Sequence, residues 1–442
     1  MTTPAVEPPD LPGPAPAHPV NPASPAAPTA PVAPAPPTTP ERPAHRDGNV
    51  LRWVGAYTAS MIGDNVYYLA LSWAAVRSGS PGQAGLVLAV SALPRAVLML
   101  GGGVIADRFG PRRVVIASDA ARCAAVLAAA GLLLAVHPGL WLLALLALLF
   151  GTVDAVFMPA VGALPVRITG RGQLARVQGM RGTAVRVANV CGAPLGGLGV
   201  ALGGAATAFG IAGLLFAASV PLLVSVRIRD LPASTRKRSA GAARELADGL
   251  RHLTGHPVLL PLLVVGALCD LGFIGPLNVG LALLSDQRGW GASGMGWVLA
   301  GFGAGAGAAS LLLTVRGRLP RAGLVMCLFT LAAAAAIGAL ALLAPLAAAV
   351  ADAVAIGLLA GLAGALTGAL TQTHCDPAYT GRVTSASSLL SLGVAPLTFP
   401  LFGAAVAAWG TGPVFAASAA VCALAGVYGL SSGPLRRAEL PA

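Results

Sequence analysis

Charge is what this sequence has least of. Asp, Glu, Lys and Arg make up 10% of its 442 residues, where a soluble domain carries about a quarter. That scarcity excludes a domain with a solvated, charged surface. Lysine is nearly missing as well: Lys237 is the lone lysine among 28 basic residues. With the excess of Ala and Gly, this arginine bias points to codon usage rather than to a set of functional guanidiniums. Cysteine is sparse and scattered, at Cys123, Cys191, Cys269, Cys327, Cys375 and Cys422. No C-x-x-C pair occurs, so neither a disulfide framework nor a metal cage is indicated. His374, Cys375 and Asp376 look ligand-like, but three adjacent residues cannot converge on one ion. A nucleophile elbow, a zinc-ligand pair and a Walker loop are all missing, so the chain is expected to be no enzyme and to drive nothing by ATP alone.

What the sequence does hold is long apolar runs. Hydrophobic residues reach 56%, and the mean hydropathy is +0.78. Twelve runs are separated by turn signals, at roughly 51–76, 82–106, 111–135, 139–163, 175–201, 204–226, 257–284, 292–315, 320–343, 346–371, 382–408 and 411–432. At ~1.5 Å per residue, each can cross a ~30 Å hydrocarbon core as a helix. The expected fold class is therefore an all-α polytopic membrane protein. Residues 1–45 are Pro, Ala and Thr with little charge, too poor in apolar bulk to offset their ordering entropy. They read as a disordered cytoplasmic tail, without the apolar core and cleavage site of a signal peptide.

A net charge of +12 suits nucleic-acid binding in a soluble protein, but in a membrane protein it follows from arginine-rich inner loops. One set of alternate loops holds Arg108, Arg112, Arg113, Arg167, Arg171 and the run from Arg227 to Arg251, then Arg316, Arg318, Arg321, Arg436 and Arg437. The opposite set holds Arg77 and Arg288. Both termini are thus expected in the cytoplasm, and no nucleic-acid partner is expected.

The most charged loop, 227–256, divides the runs six and six, giving bundles at 51–226 and 257–433. A weak repeat follows the division. "GDNVYYLALSW" in the first run faces "CDLGFIGPLNV" in the seventh, with Asp64 and Asp270 in register, and "FGPRR" has a degraded counterpart in "GRLPR". Two repeat-related halves place a substrate site between them, near the bilayer midplane.

"GGGVIADRFGPRR", residues 101–113, gathers the densest charge. Gly101, Gly103 and Ala106 imitate a dinucleotide fingerprint, but they end an apolar run instead of following a short strand. The stretch resembles the loop signature of the major facilitator superfamily, G-x-x-x-D-R-x-G-x-R-R, with Gly103, Asp107, Arg108, Gly110, Arg112 and Arg113 in the signature places. "MIGDNVYYLALSW", "SDAARC", "GLRHLTGHPVLLPLL" and "GRVTSASSLLSLGVAPL" are similar to its drug- and siderophore-exporting branch, which includes macrolide and enterobactin exporters. The resemblance implies twelve helices in two pseudo-symmetric bundles, a proton gradient in place of a cofactor, and a multi-pass protein of the cell membrane acting as a monomer. It implies proton-coupled efflux of an amphipathic drug, antibiotic or secondary metabolite by alternating access. Uptake of a small solute, or a scaffold or sensor acting through the Pro-rich tail, are the alternatives. It also implies that Asp107 faces the start of the eleventh helix near Gly381 and Arg382, as a cytoplasmic gate. The fifth helix departs from the antiporter signature: Gly192, Pro194, Gly196 and Gly197 form the expected hinge, with the proline displaced by one place. The fourth helix lacks the arginine of many proton-coupled antiporters, for which Arg122 or Arg95 would stand in.

Intramembrane charges are costly and functional by default. Asp64, Asp154 and Asp270 are the candidates for proton coupling, with Arg95, Asp119 and Arg122 as charge partners. Asp64 and Arg95 lie at matching depth, which makes an ion pair between them geometrically possible. Asp119 and Arg122, three apart on one helix face, read as a structural pair. A carboxylate that loses its cation when the halves rock gains affinity for a proton. Tyr57, Tyr67, Tyr68, Trp73, Phe157 and Phe273 are the candidates for lining an aromatic cavity. The glycine runs at 301–310 and 357–368 read as close helix packing.

Overall fold

The computed structural model describes residues 43–135, 139–228, 251, 253–316, 320–376 and 379–440. Residues 1–42 of the expected tail, and the middle of the expected linker, lie outside the described residues, while the end of that tail is ordered, with a 3-10 turn at Ala44–Arg46 that buries Ala44. The helices are α1 (Gly48–Ser78), α2 (Pro81–Phe109), α3 (Pro111–Ala135), α4 (Leu140–Ile168) and α5 (Leu174–Ser225), then α6 (Leu259–Gly275) and α7 (Leu281–Gln287), joined by a π-helical segment at Pro276–Gly280. They continue as α8 (Gly291–Arg316), α9 (Ala322–Leu340), α10 (Leu346–His374), α11 (Thr380–Trp409), α12 (Thr411–Ser431) and the short α13 (Gly433–Arg436). No strand occurs among the described residues. Nine helices among the described residues are long and apolar enough to cross a membrane, with Leu259–Gln287 taken as one. α1 and α11 have matching lengths, at 31 and 30 residues. α5 is a 52-residue element whose helical geometry breaks at Gly203 and Gly204.

Local chemistry sets the helix ends. Ser80 and Gln83 form a reciprocal capping box at the start of α2, with Pro81 at its first position. Gly110 stops α2 with φ of 85°, a backbone that a side chain resists. Pro111 then opens α3 at once. Arg112 closes the far end of α5 by donating from Nε to the Leu223 carbonyl at 3.4 Å, and from Nη2 to that of Val224. The His256 imidazole caps α6, its Nδ1 accepting the backbone N–H groups of Val258 and Leu259 at 3.2 Å.

Packing separates the residues before 228 from those after 253. α1 lies along the first arm of α5, α2 against α4, and α3 against α4 and α5. In the second half α8 lies along α10, and α9 against α10 and α12. The halves meet where α2 crosses α11 and α5 crosses α8. Both crossings are made of backbone. A side chain at Gly85 would strike the Phe399 carbonyl, and one at Gly403 that of Pro81. A Cβ on Gly197 or Gly296 would come 2.6 Å from the carbonyl oxygens of Ala292 and Ala193. These contacts gather at the arginine-poor ends of the helices. There the Ser72 hydroxyl donates to the Asn278 carbonyl at 2.7 Å, and Arg77 pairs with Asp286 at 3.0 Å.

The outer surface is apolar, with Leu202, Leu214, Leu311 and Leu342 exposed. Trp141 and Trp409 stand exposed at helix ends near the closed face, the position of an interfacial aromatic belt.

Candidate functional site

α3 carries Asp119 and Arg122 close to its midpoint, on one face. From there the Arg122 side chain enters the space between α1 and α4 and is wholly buried. Its Nη1 donates to both carboxylate oxygens of Asp64 at 3.0 Å. Its Nη2 lies 3.2 Å from Asp154 Oδ1, and Asp119 Oδ1 is 3.8 Å from Nη1. One guanidinium thus gathers three carboxyl groups from three helices. Phe157 lies under the guanidinium at 3.9 Å, with Phe216 beyond it at 5.7 Å. Such ring faces favour a desolvated cation.

Neighbouring hydroxyls complete the set. Ser60 donates to Asp119 Oδ1 at 3.0 Å and Ser219 to Oδ2 at 2.5 Å. The Tyr68 hydroxyl donates to Asp154 Oδ2 at 2.8 Å. Arg122 and Asp119 are 0% exposed and Asp154 2%, whereas Asp64 reaches 8%, so Asp64 is the least buried member. Fully ionised, three carboxylates around one guanidinium would hold two surplus negative charges in a dry interior, at a cost of several kcal/mol per ion. An arrangement of this kind can take up and release protons.

Several expectations change here. Asp64 pairs with Arg122 and not with Arg95, because α3 reaches across to α1 while α2 packs on α4 and α11. Arg95 is half-buried, with Nε enclosed and without a hydrogen-bond partner among the described residues. Asp119 and Arg122 are more than a pair on one helix: they link α3 to α1, α4 and α5. Neither serine carries a sequence signal. The clues to the hub were the intramembrane charges themselves and the Asp-x-x-Arg spacing of Asp119 and Arg122.

The aromatic candidates divide. Tyr67 and Phe157 are buried in packing, Tyr67 stacked on Phe150 at 3.6 Å, so neither lines a cavity. Tyr57 is buried too, stacked on Trp53 at 5.8 Å with Arg181 over its ring. Trp73 lines a cavity of about 290 Å³ with Arg77 and Gly204. Phe273 borders a small apolar cavity beside Phe302. α5 runs through Pro194 unbroken, and Gly192 and Gly196 receive α1 while Gly197 receives α8. The backbone turns at Gly203 and Gly204, between the expected fifth and sixth runs, where φ reaches 71° at Gly204.

Asp270 lies apart from the cluster. It lines a cleft of about 380 Å³ between α6, α10 and α11, with Thr367, Thr371, Gln372, Ser387 and Ser391. In the loop signature, Arg108 lies over the Phe109 ring at 5.7 Å and Arg113 is exposed. The side chains at 103, 107, 381 and 382 are outside the described residues, and with them the expected contact of Asp107.

Apolar helices in two sets, meeting at one end and holding buried charges at mid-depth, define a polytopic membrane transporter. The chain belongs to the Major Facilitator Superfamily, whose profile matches residues 54–395. It is 30% identical over 206 residues to the multidrug efflux pump Tap of Mycobacterium tuberculosis, covering 45% of this chain and 49% of that protein. With the enterobactin exporter EntS of Escherichia coli the identity is 28% over 267 residues, covering 60% of this chain and 62% of that one. The chain therefore spans between half and two-thirds of the length of these curated relatives. Solved structures share the fold. A bacterial homolog of the human lysosomal transporter Spinster, inward-facing and occupied, gives a TM-score of 0.66 at 15% identity, over 89% of this chain and 98% of that one. The nucleoside transporter NupG gives 0.68 at 11% identity, over 88% of this chain and 100% of that one.

Proposed function

We propose that the protein is a proton-coupled exporter of amphipathic small molecules that works by alternating access. Its helices cross the membrane twelve times, in bundles at 51–226 and 257–433, with both termini in the cytoplasm. The observation that carries this reading is the sealed cluster in which Arg122 meets Asp64, Asp119 and Asp154. The likeness to Tap and EntS supports export as the direction.

In this reading the arginine-poor face is the outside. It is closed by the α2–α11 and α5–α8 crossings and by the Arg77–Asp286 pair, so the chain stands in an outward-closed state of the cycle. Substrate enters from the cytoplasm. Rocking of the halves opens the outer face and admits protons by way of Asp64, the cluster member with some exposure. A proton on Asp64 weakens its hold on Arg122, and the guanidinium turns to Asp154 and Asp119. Asp107 serves as the inner latch that forms when the cytoplasmic side closes.

Everted vesicles with an acidic lumen test the coupling. Adding an exported compound should release protons from the lumen at a rate that follows its transport. An exported compound that moves without proton release would refute the coupling.

A further inference from the structure

Asp270 stands in a different situation from Asp64, although the internal repeat puts them in register. It lies about 16 Å along the helix from Leu259, at ~1.5 Å per residue, and so near the middle of the Leu259–Gln287 span. Ser391 of α11 lines the same cleft. No Arg, Lys or His lines its cleft among the described residues. The helix that corresponds to α3, which supplied Arg122, is α9, and α9 has no charged residue. The helix that corresponds to α4 is α10. Its one acid, Asp352, lies two turns from the other end, and its His374 is occupied by the Leu370 carbonyl and the Thr373 hydroxyl. Among the described side chains, the repeat has kept the acid and dropped the cation.

We infer that this cleft is the charge-binding subsite for substrate, and that it takes the positively charged group of an amphipathic organic cation. The inference rests on the transport reading above and adds a division of labour: protons in the first half, substrate charge in the second. A carboxylate at mid-membrane without a cation is incomplete, and a ligand's ammonium completes it. Thr367, Thr371 and Gln372 offer polar atoms along the cleft, while Leu259 and Leu262 offer apolar wall for the rest of the molecule. A volume of about 380 Å³ is within the range of small-molecule sites. The first-half cluster cannot serve the same purpose, because Arg122 already fills its centre and Asp119 is sealed from any ligand.

The test compares binding of two fluorescent probes to the full-length protein in nanodiscs. One is an aryl trimethylammonium, and the other is its uncharged tert-butyl isostere. Wild type should bind the cation at least tenfold more tightly than the isostere. Asp270→Asn should abolish that preference, Asp270→Glu should keep it, and Asp64→Asn should leave it unchanged. A preference that survives Asp270→Asn, or that disappears in Asp64→Asn, overturns the inference, as does equal binding of the two probes by wild type. A second measurement needs no variant. Carbodiimide labelling of wild type, read by peptide mass spectrometry, should fall at Asp270 but not at Asp64 when the cation is added, and equal protection at both overturns the assignment. Proton release from vesicles is a separate readout, so proton-coupled export without a cation preference removes this inference alone.

Discussion

Replacing Arg122 by Leu would leave Asp64, Asp119 and Asp154 around a vacant centre. Breaking a buried ion cluster by removing one partner costs about 3–5 kcal/mol. Arg122→Leu should therefore express poorly and melt well below wild type in a thermal unfolding assay. Asp64→Asn keeps the shape and removes only the charge. It should fold, bind substrate and give no proton release in everted vesicles, with a pH-sensitive dye as the readout. Ser219→Ala removes a donor to a buried carboxylate, a loss of about 1.5–3 kcal/mol, which thermal unfolding would register without a change in the location of the protein. The site was partly legible in the sequence. Asp64, Asp154 and Arg122 announce themselves because charge is so rare in these runs. Which acid meets which arginine was not legible, since depth along a helix says nothing about which helices are neighbours. Ser60 and Ser219 were invisible, because serine is common in membrane helices and usually bonds to its own backbone.

At the level of the helices, glycine determines how closely neighbours approach. A side chain on Gly305 would strike the Val354 carbonyl, and one on Gly357 that of Phe302. Gly307, in the same run, has nothing within 4 Å of such a position. Gly305→Leu should push α8 away from α10 and cost about 1–3 kcal/mol, whereas Gly307→Leu should be tolerated. Melting temperatures of the two purified variants give the comparison, and equal values would contradict the packing. Helix positions and the glycine contacts between α8 and α10 were readable in advance, because apolar run length and small-residue spacing are local properties. The boundary between the fifth and sixth runs was readable too, and the turn falls there, at Gly203 and Gly204. That Gly192, Gly196 and Gly197 receive neighbouring helices was not readable, because Gly and Pro signal both flexibility and close approach, and only the partner helix decides between them.

For the whole molecule, the proposed alternating-access cycle makes the balance between inward- and outward-open states depend on contacts at opposite ends. The Arg77–Asp286 pair is exposed, with side chains 62% and 36% accessible, so it contributes at most about 1 kcal/mol. Arg77→Gln should shift the population toward the outward-open state by up to about fivefold, measured by spin-label distances across the outer face. Asp107→Asn should shift it the other way. This difference in exposure has a consequence for ionic strength. Salt reduces the range of electrostatic forces in water from about 10 Å at 0.1 M to about 3 Å at 1 M, but it hardly reaches charges buried in protein. The outer pair is wet and the Arg122 cluster is dry. On the proposed coupling, external salt should therefore retune how often the transporter opens outward, while the number of protons exchanged per turnover stays fixed.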